Sequence, residues 1–166
     1  MADALANWYN NSFGQLIPKE LFIFFVSLLP LIELRGGVLV AKLLGVPLLR
    51  ANLICIIGNI IPIPFILLFI KTIFAFMKKH NILKRFIEYL EKRAERKSKG
   101  VDRGEFLFLL LFVGIPIPGT GAWMGSLIAA LFDFDIKRAS LAIFLGILLA
   151  AVIMSVVSYG VLGALI

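Results

Sequence analysis

Residues 29–37 read L-P-L-I-E-L-R-G-G, and residues 116–125 read P-I-P-G-T-G-A-W-M-G. Both stretches lie inside long apolar runs, and both are poorly suited to the middle of a transmembrane helix. Proline removes a backbone donor and glycine loosens a helix. Backbone groups released in this way are tolerated at membrane depth only when buried in protein or lining a wet cavity. The runs that contain the two stretches are 21–46 and 106–132. Each divides into two apolar arms of about ten or twelve residues, and ten residues of helix rise only about 15 Å, half the hydrocarbon thickness. A re-entrant helical hairpin is therefore expected in each run; a pair of kinked full spans is the alternative. The other two apolar runs, 53–77 and 141–166, are about 25 residues each, enough to cross a bilayer with some tilt.

The bulk numbers agree with a membrane setting. The 166 residues are 61% hydrophobic, with a mean hydropathy of +1.01. A soluble domain is roughly 45–50% apolar, and so small a globule cannot hide the excess. The net charge of +7 comes mainly from one insert: ten of the seventeen Lys and Arg residues lie in 78–103. Such an insert fits a cytoplasmic loop obeying the positive-inside rule better than a nucleic-acid site. Leu83, Phe86, Ile87, Leu90 and Ala94 recur in it at helical spacing, and Glu88 and Glu95 each precede a lysine by four. An amphipathic helix on the cytoplasmic surface is expected there. The N-terminal segment lacks a basic n-region and a cleavage pattern, so a cleaved signal peptide is not expected. Trp8, Tyr9 and Phe13 suggest that it rests at the interface.

An internal repeat appears at an offset of 88. Pro30, Gly37, Leu39, Ala41, Leu43, Arg50, Ala51, Leu53 and Gly58 fall on identical residues 88 positions later, ending at Gly146. Leu and Ala matches are common in membrane sequences; the Pro, Gly and Arg matches carry the information. Each unit reads as a hairpin, a short polar turn with an arginine, and a long span. If the insert is cytoplasmic, the first hairpin dips in from outside and the second from inside, so the units are inverted. Inverted repeats with broken helices near the midplane are a recurring transporter plan. The fold class expected is thus an all-α integral membrane protein. Its parts are an interfacial segment (1–18), repeat one (19–77), the linker (78–104) and repeat two (105–166).

Glu33 and Arg35 are the leading site candidates, because an ionisable residue at membrane depth usually faces a cavity or a partner. Glu33 could take up a proton, and Arg35 could hold an anionic group. An ion pair between the two, closing the hairpin, is the structural alternative. In the second stretch Gly119 and Gly121 can expose backbone, and the arm from Ala122 offers free N–H groups at a helix start. Thr120 adds a hydroxyl and Trp123 an amphipathic ring. These residues suit a site facing Glu33 and Arg35, and equally a tight turn. Asn59 either lines the cavity or, preferably, bonds backbone freed by Pro62 and Pro64. Arg50 and Arg138 suit headgroup anchoring, while Asp133 and Asp135 suit a helix cap or a pairing with Arg138. The single cysteine, Cys55, excludes an internal disulfide, and His80 reads as an interfacial residue. No Ser/His/Asp, Cys/His or paired-carboxylate pattern appears, so neither enzyme chemistry, a metal nor a cofactor is expected.

The motifs L-P-x-x-E-L-R-G-G, G-N-x-x-P-x-P at 58–64 and P-x-P-G-T-G-A-W-x-G together resemble the small multi-drug export protein family of bacteria and archaea. The likeness covers about residues 25–165. It is similar in plan to the DedA/VTT superfamily, with two opposed re-entrant hairpins and an implied role in lipid or lipid-phosphate translocation. The arginine-rich motif of DedA proteins is missing from the second hairpin, so that substrate does not carry over. The resemblance implies Glu33, Arg35, Gly36 and Gly37 as site residues in the first hairpin. In the second it implies Pro116, Pro118, Gly119, Thr120, Gly121 and Trp123. A plasma-membrane transporter of a prokaryote follows, an exporter or lipid flippase with a small-molecule or lipid substrate. Proton or ion coupling through Glu33 and a homodimer that completes the pathway are part of that expectation. A non-transporting module that organises lipids or partners through Lys84, Arg85, Lys92 and Arg93 is the rival, and a channel the third.

Overall fold

The computed structural model describes residues 2–12, 16–79, 102–132 and 134–161. The surface helix expected within 78–104 lies largely outside them, as do Phe13, His80 and Asp133. Among the described residues the chain is all-α, with no strand. A first helix, α1 (Ala2–Ser12), precedes a short pair, α2 (Lys19–Leu28) and α3 (Glu33–Leu43). A long span follows as α4 (Leu48–Ile60) and α5 (Pro62–Lys79). A second short pair, α6 (Asp102–Gly114) and α7 (Ala122–Leu131), leads to α8 (Ile136–Ser155), which runs on as a π-helical segment, Val156–Val161.

Local chemistry sets these boundaries. Leu29 is extended (ψ 136°) because the ring of Pro30 excludes helical geometry from the residue before it. The chain turns through 30–32 and restarts at Glu33. Helix α3 ends in a Schellman turn: Gly45 takes φ 72°, its N–H bonds Lys42 O, and the Val46 N–H bonds Ala41 O at 2.9 Å. Pro47 then opens α4. The same reverse bond recurs 88 residues on, from Phe134 N–H to Ala129 O at 3.0 Å, and α8 starts at 136, the counterpart of 48. Asp135 caps α8 by accepting from the Arg138 N–H at 2.9 Å, as expected for that residue.

The repeat glycines lie where helices cross closely. A Cβ on Gly37 would overlap Ser27 Oγ and come within 2.9 Å of Cys55 Sγ; one on its counterpart Gly125 would meet Val113 and Ile143. Cys55 and Ile143 are themselves counterparts. A Cβ on Gly58 would lie 2.9 Å from the Phe24 carbonyl, and one on Gly146 would lie 2.9 Å from the Leu110 carbonyl. Helices α2, α3 and α4 pack on one another, α6 packs along α8, and α7 lies against α5 and α8.

Among the described residues, two helical runs are long and apolar enough to cross a membrane, Leu48–Ile70 and Ile136–Val161. The first begins five residues before the apolar run 53–77 suggested, since Pro47 rather than hydropathy fixes its start. Their outer faces carry exposed Leu53, Ile57, Phe65, Phe69 and Val152. So much apolar surface on long helices is stable in lipid and not in water. The two runs are antiparallel where they meet. Asn52 Nδ2 donates to Ser155 Oγ at 2.7 Å, and the Tyr159 hydroxyl donates to Val46 O at 2.6 Å, so one begins where the other ends.

The N-terminal segment does more than rest at an interface. Tyr9 is buried against Phe22, with ring centroids 4.8 Å apart, and its hydroxyl donates to Ile17 O at 2.5 Å. Trp8 stays half exposed.

Candidate functional site

The two short helix pairs meet at their turns. Glu33, the first residue of α3, is buried and adopts φ 52°, the left-handed region that a non-glycine residue enters only under constraint. The constraint is visible in its side chain. Both carboxylate oxygens accept backbone N–H groups of the opposite pair, Ala122 at 3.1 Å and Trp123 at 3.1 Å. These are the first two N–H groups of α7, which have no partner within that helix. Glu33 therefore supplies a charge-assisted cap from another part of the chain, at the positive end of the α7 dipole. Between the pair's broken turn and α7 stands Gly121, at φ 128° and ψ −174°, a conformation essentially restricted to glycine. A Cβ there would overlap the Glu33 carboxylate.

Arg35 answers at the other end of the break. Its Nη1 donates to Ile117 O at 2.6 Å and Thr120 O at 3.3 Å. Its Nη2 donates to Val113 O at 3.1 Å, Ile115 O at 3.0 Å and Thr120 Oγ1 at 2.9 Å. Thr120 Oγ1 in turn donates to Ile117 O at 2.8 Å. The carbonyls of Val113, Ile115 and Ile117 belong to the end of α6 and the proline turn after it, where the helix can no longer satisfy them. A planar guanidinium reaches several such acceptors together, and its charge suits the negative end of the α6 dipole. The acid thus holds the start of α7 while the base holds the end of α6. The two do not pair with each other within 4.0 Å, so the expected alternative of an ion pair closing the first hairpin is not what forms. Among the described residues an exposed ion pair forms elsewhere, from Arg50 to Glu20 at 3.4 Å.

Of the residues singled out from sequence, Glu33, Arg35, Gly36, Pro116, Pro118, Gly119 and Thr120 line one cleft of about 310 Å³. Gly121 and Trp123 stand behind it at the start of α7, and the Trp123 indole N–H donates to Leu28 O at 3.2 Å, tying α7 to the end of α2. Gly37 lies apart, buried between Ser27 and Cys55, where its role is packing. Asn59 is buried close to the Glu33 carboxylate, and its own Oδ1 has no hydrogen-bond partner. The preferred expectation of bonds from Asn59 to proline-freed backbone is not met: its Oδ1 is unpartnered and no bond from it to the backbone forms. Leu31, Ile32, Leu39 and Met154 complete the cleft wall. Met154 sits in α8, far from either motif, and no local signal marks it. The acceptor carbonyls for Arg35 are backbone atoms, which residue identity does not reveal. No group of three or more His, Cys, Asp or Glu side chains that could hold a metal occurs among the described residues.

A family model described as "Putative small multi-drug export protein" matches residues 33–153, beginning at the buried glutamate and ending beside Met154. No curated protein and no solved structure matches the chain.

Proposed function

The chain belongs to the small multi-drug export protein family, and from that premise we propose that it is a secondary-active exporter whose substrate path runs through the cleft between the two helix pairs. Glu33 is its coupling carboxylate. One observation supports this above the others: the buried carboxylate is also the latch between the two turns. Ionised, it holds the start of α7 through two charge-assisted bonds. Protonated, it loses its charge and one acceptor face, and the bonds fall to about half their strength. The two turns then part, and the cleft exchanges substrate with the other side of the membrane.

The helix pairs act as opposed re-entrant hairpins of an inverted repeat, a plan shared with the DedA/VTT superfamily. The antiparallel spans and the recurring cap bond at an offset of 88 support that arrangement. In it the linker 78–104 is cytoplasmic, Lys137 and Arg138 face the same side, and α3 ends and α4 begins at the outer face. The cleft suits a small amphiphile. Its walls are apolar at Leu31, Ile32, Leu39 and Met154, with Glu33, Arg35 and Thr120 as the polar lining, and its volume lies within the range of about 300–1,000 Å³ typical of ligand sites.

The test is efflux of a fluorescent amphiphile from proteoliposomes under an imposed pH gradient. Glu33→Gln is expected to abolish the gradient-driven component; an unchanged dependence on the gradient overturns the coupling role.

A further inference from the structure

One face of α4 is polar although it lies inside the bundle. Asn52, Cys55 and Asn59 follow one another at the helical spacing that puts them on one side. Cys55 and Asn59 are buried. Asn59 reaches Glu33 at the inner end of this face. Cys55 lies beside Ser27 of α2, both flanking Gly37. Asn52 donates to Ser155 at the outer end, and Tyr159 closes on Val46 O with Lys42 Nζ 5.4 Å above its ring. The result is a succession of polar side chains from Glu33 to the face where α3 ends and α4 begins.

Two of the unsatisfied buried atoms fall along the same succession. Three buried side-chain oxygen atoms of the described residues lack a hydrogen-bond partner: Asn52 Oδ1, Asn59 Oδ1 and Ser158 Oγ. Two belong to this face of α4. The third lies in the π-helical segment beside Tyr159, and π segments are frequent at functional sites. Buried polar atoms are ordinarily satisfied by protein or by water. A single bound cation cannot serve here, because Asn52 and Asn59 are seven residues apart, a rise of about 10 Å. A file of water molecules can.

We propose that this succession is the hydrated route by which protons reach Glu33, open only toward the face where α4 begins. The inference rests on Glu33 as the coupling carboxylate. A proton enters as hydronium at the Tyr159 and Val46 end, passes along waters bonded to Asn52 and Asn59, and comes to rest on a Glu33 oxygen. The side chains along the way solvate it and do not themselves ionise. Of the groups facing Glu33, namely Arg35 on its own helix, Asn59 from α4, the Ala122 and Trp123 N–H groups from α7 and Met154 from α8, Arg35 alone is charged. Its guanidinium bonds carbonyls of α6 and the proline turn, so no hydrogen bond to Arg35 has to break when the carboxylate takes the proton.

The native thiol permits a direct test, since Cys55 is the chain's one cysteine. Ag⁺, a thiol-reactive cation small enough to follow water, is added to either side of oriented proteoliposomes holding the full chain. Remaining thiol is then counted by maleimide after solubilisation. Cys55 is expected to react at least about tenfold faster from the face where α4 begins, a ratio equivalent to about 1.4 kcal/mol of barrier. Leu53→Cys in a Cys55→Ala background places a thiol on the lipid-facing side nearby and is expected to be inert from both faces. Equal rates from the two faces, or a Cys55 as inert as that control, overturn the route. The measurement needs neither substrate nor Glu33. An inert Cys55 with efflux still abolished by Glu33→Gln therefore retires the route alone. A reactive Cys55 with efflux indifferent to Glu33→Gln retires the coupling role and, with it, Glu33 as the route's terminus.

Discussion

Changing Gly121 to alanine and removing the Glu33 carboxylate attack one contact from two sides, and the structure gives the size of their coupling. Glu33→Ala deletes two charge-assisted bonds to the start of α7, worth about 1.5–3 kcal/mol each, so about 3–6 kcal/mol is lost. Gly121→Ala costs about 1–3 kcal/mol for a residue with a side chain at φ 128°. It also drives a Cβ into the carboxylate, which must swing away and forfeit the same two bonds. The single alanine at 121 therefore costs about 4–9 kcal/mol. In the double variant the carboxylate is already gone, and alanine at 121 adds only its backbone strain. The double variant should match Gly121→Ala alone, with a coupling energy of about 3–6 kcal/mol in the cycle. Equilibrium unfolding in mixed micelles, followed by tryptophan fluorescence, measures all four corners. If the two losses add, Gly121 is not present to make room for Glu33 and the latch is wrongly identified.

Arg35→Lys keeps the charge but presents three donors where the guanidinium reaches five acceptors; a loss of about 2–4 kcal/mol in the same unfolding measurement is expected, and a stability equal to the parent refutes the clamp on α6. Gly58→Ala and Gly146→Ala each push a Cβ to within 2.9 Å of a backbone carbonyl on the neighbouring helix. Each should cost about 1–3 kcal/mol by overpacking, and a silent result at one site with a clear loss at the other refutes the equivalence of the two crossings.

Much of the chain's organisation was legible without coordinates. Apolar excess placed it in a bilayer. Pro30, Pro116 and Pro118 mark where helices cannot continue, because proline restricts its own geometry and that of the residue before it. The offset of 88 aligned the runs that begin as α4 and α8, and it paired Gly58 with Gly146, which the structure places at close helix crossings. These features are local, or depend on spacing, and so are written in the order of residues. The same holds for the prominence of Glu33 and Arg35, whose charge stands out in an apolar run whatever the fold does.

Tertiary structure decided what that charge is used for. Sequence proximity left a Glu33–Arg35 ion pair as the alternative to a binding role, yet they hold opposite ends of a helix break that lies 78 to 90 residues away in the chain. Their partners are backbone N–H and carbonyl groups, which every sequence contains and none advertises. Which of those groups lack a helical partner depends on where α6 stops and α7 starts, and whether they are within reach depends on how the second pair packs against the first. Asn59 beside Glu33, Met154 in the cleft wall and the polar face of α4 have the same origin. Each residue is ordinary in its own helix and acquires a role only through what the packing brings next to it.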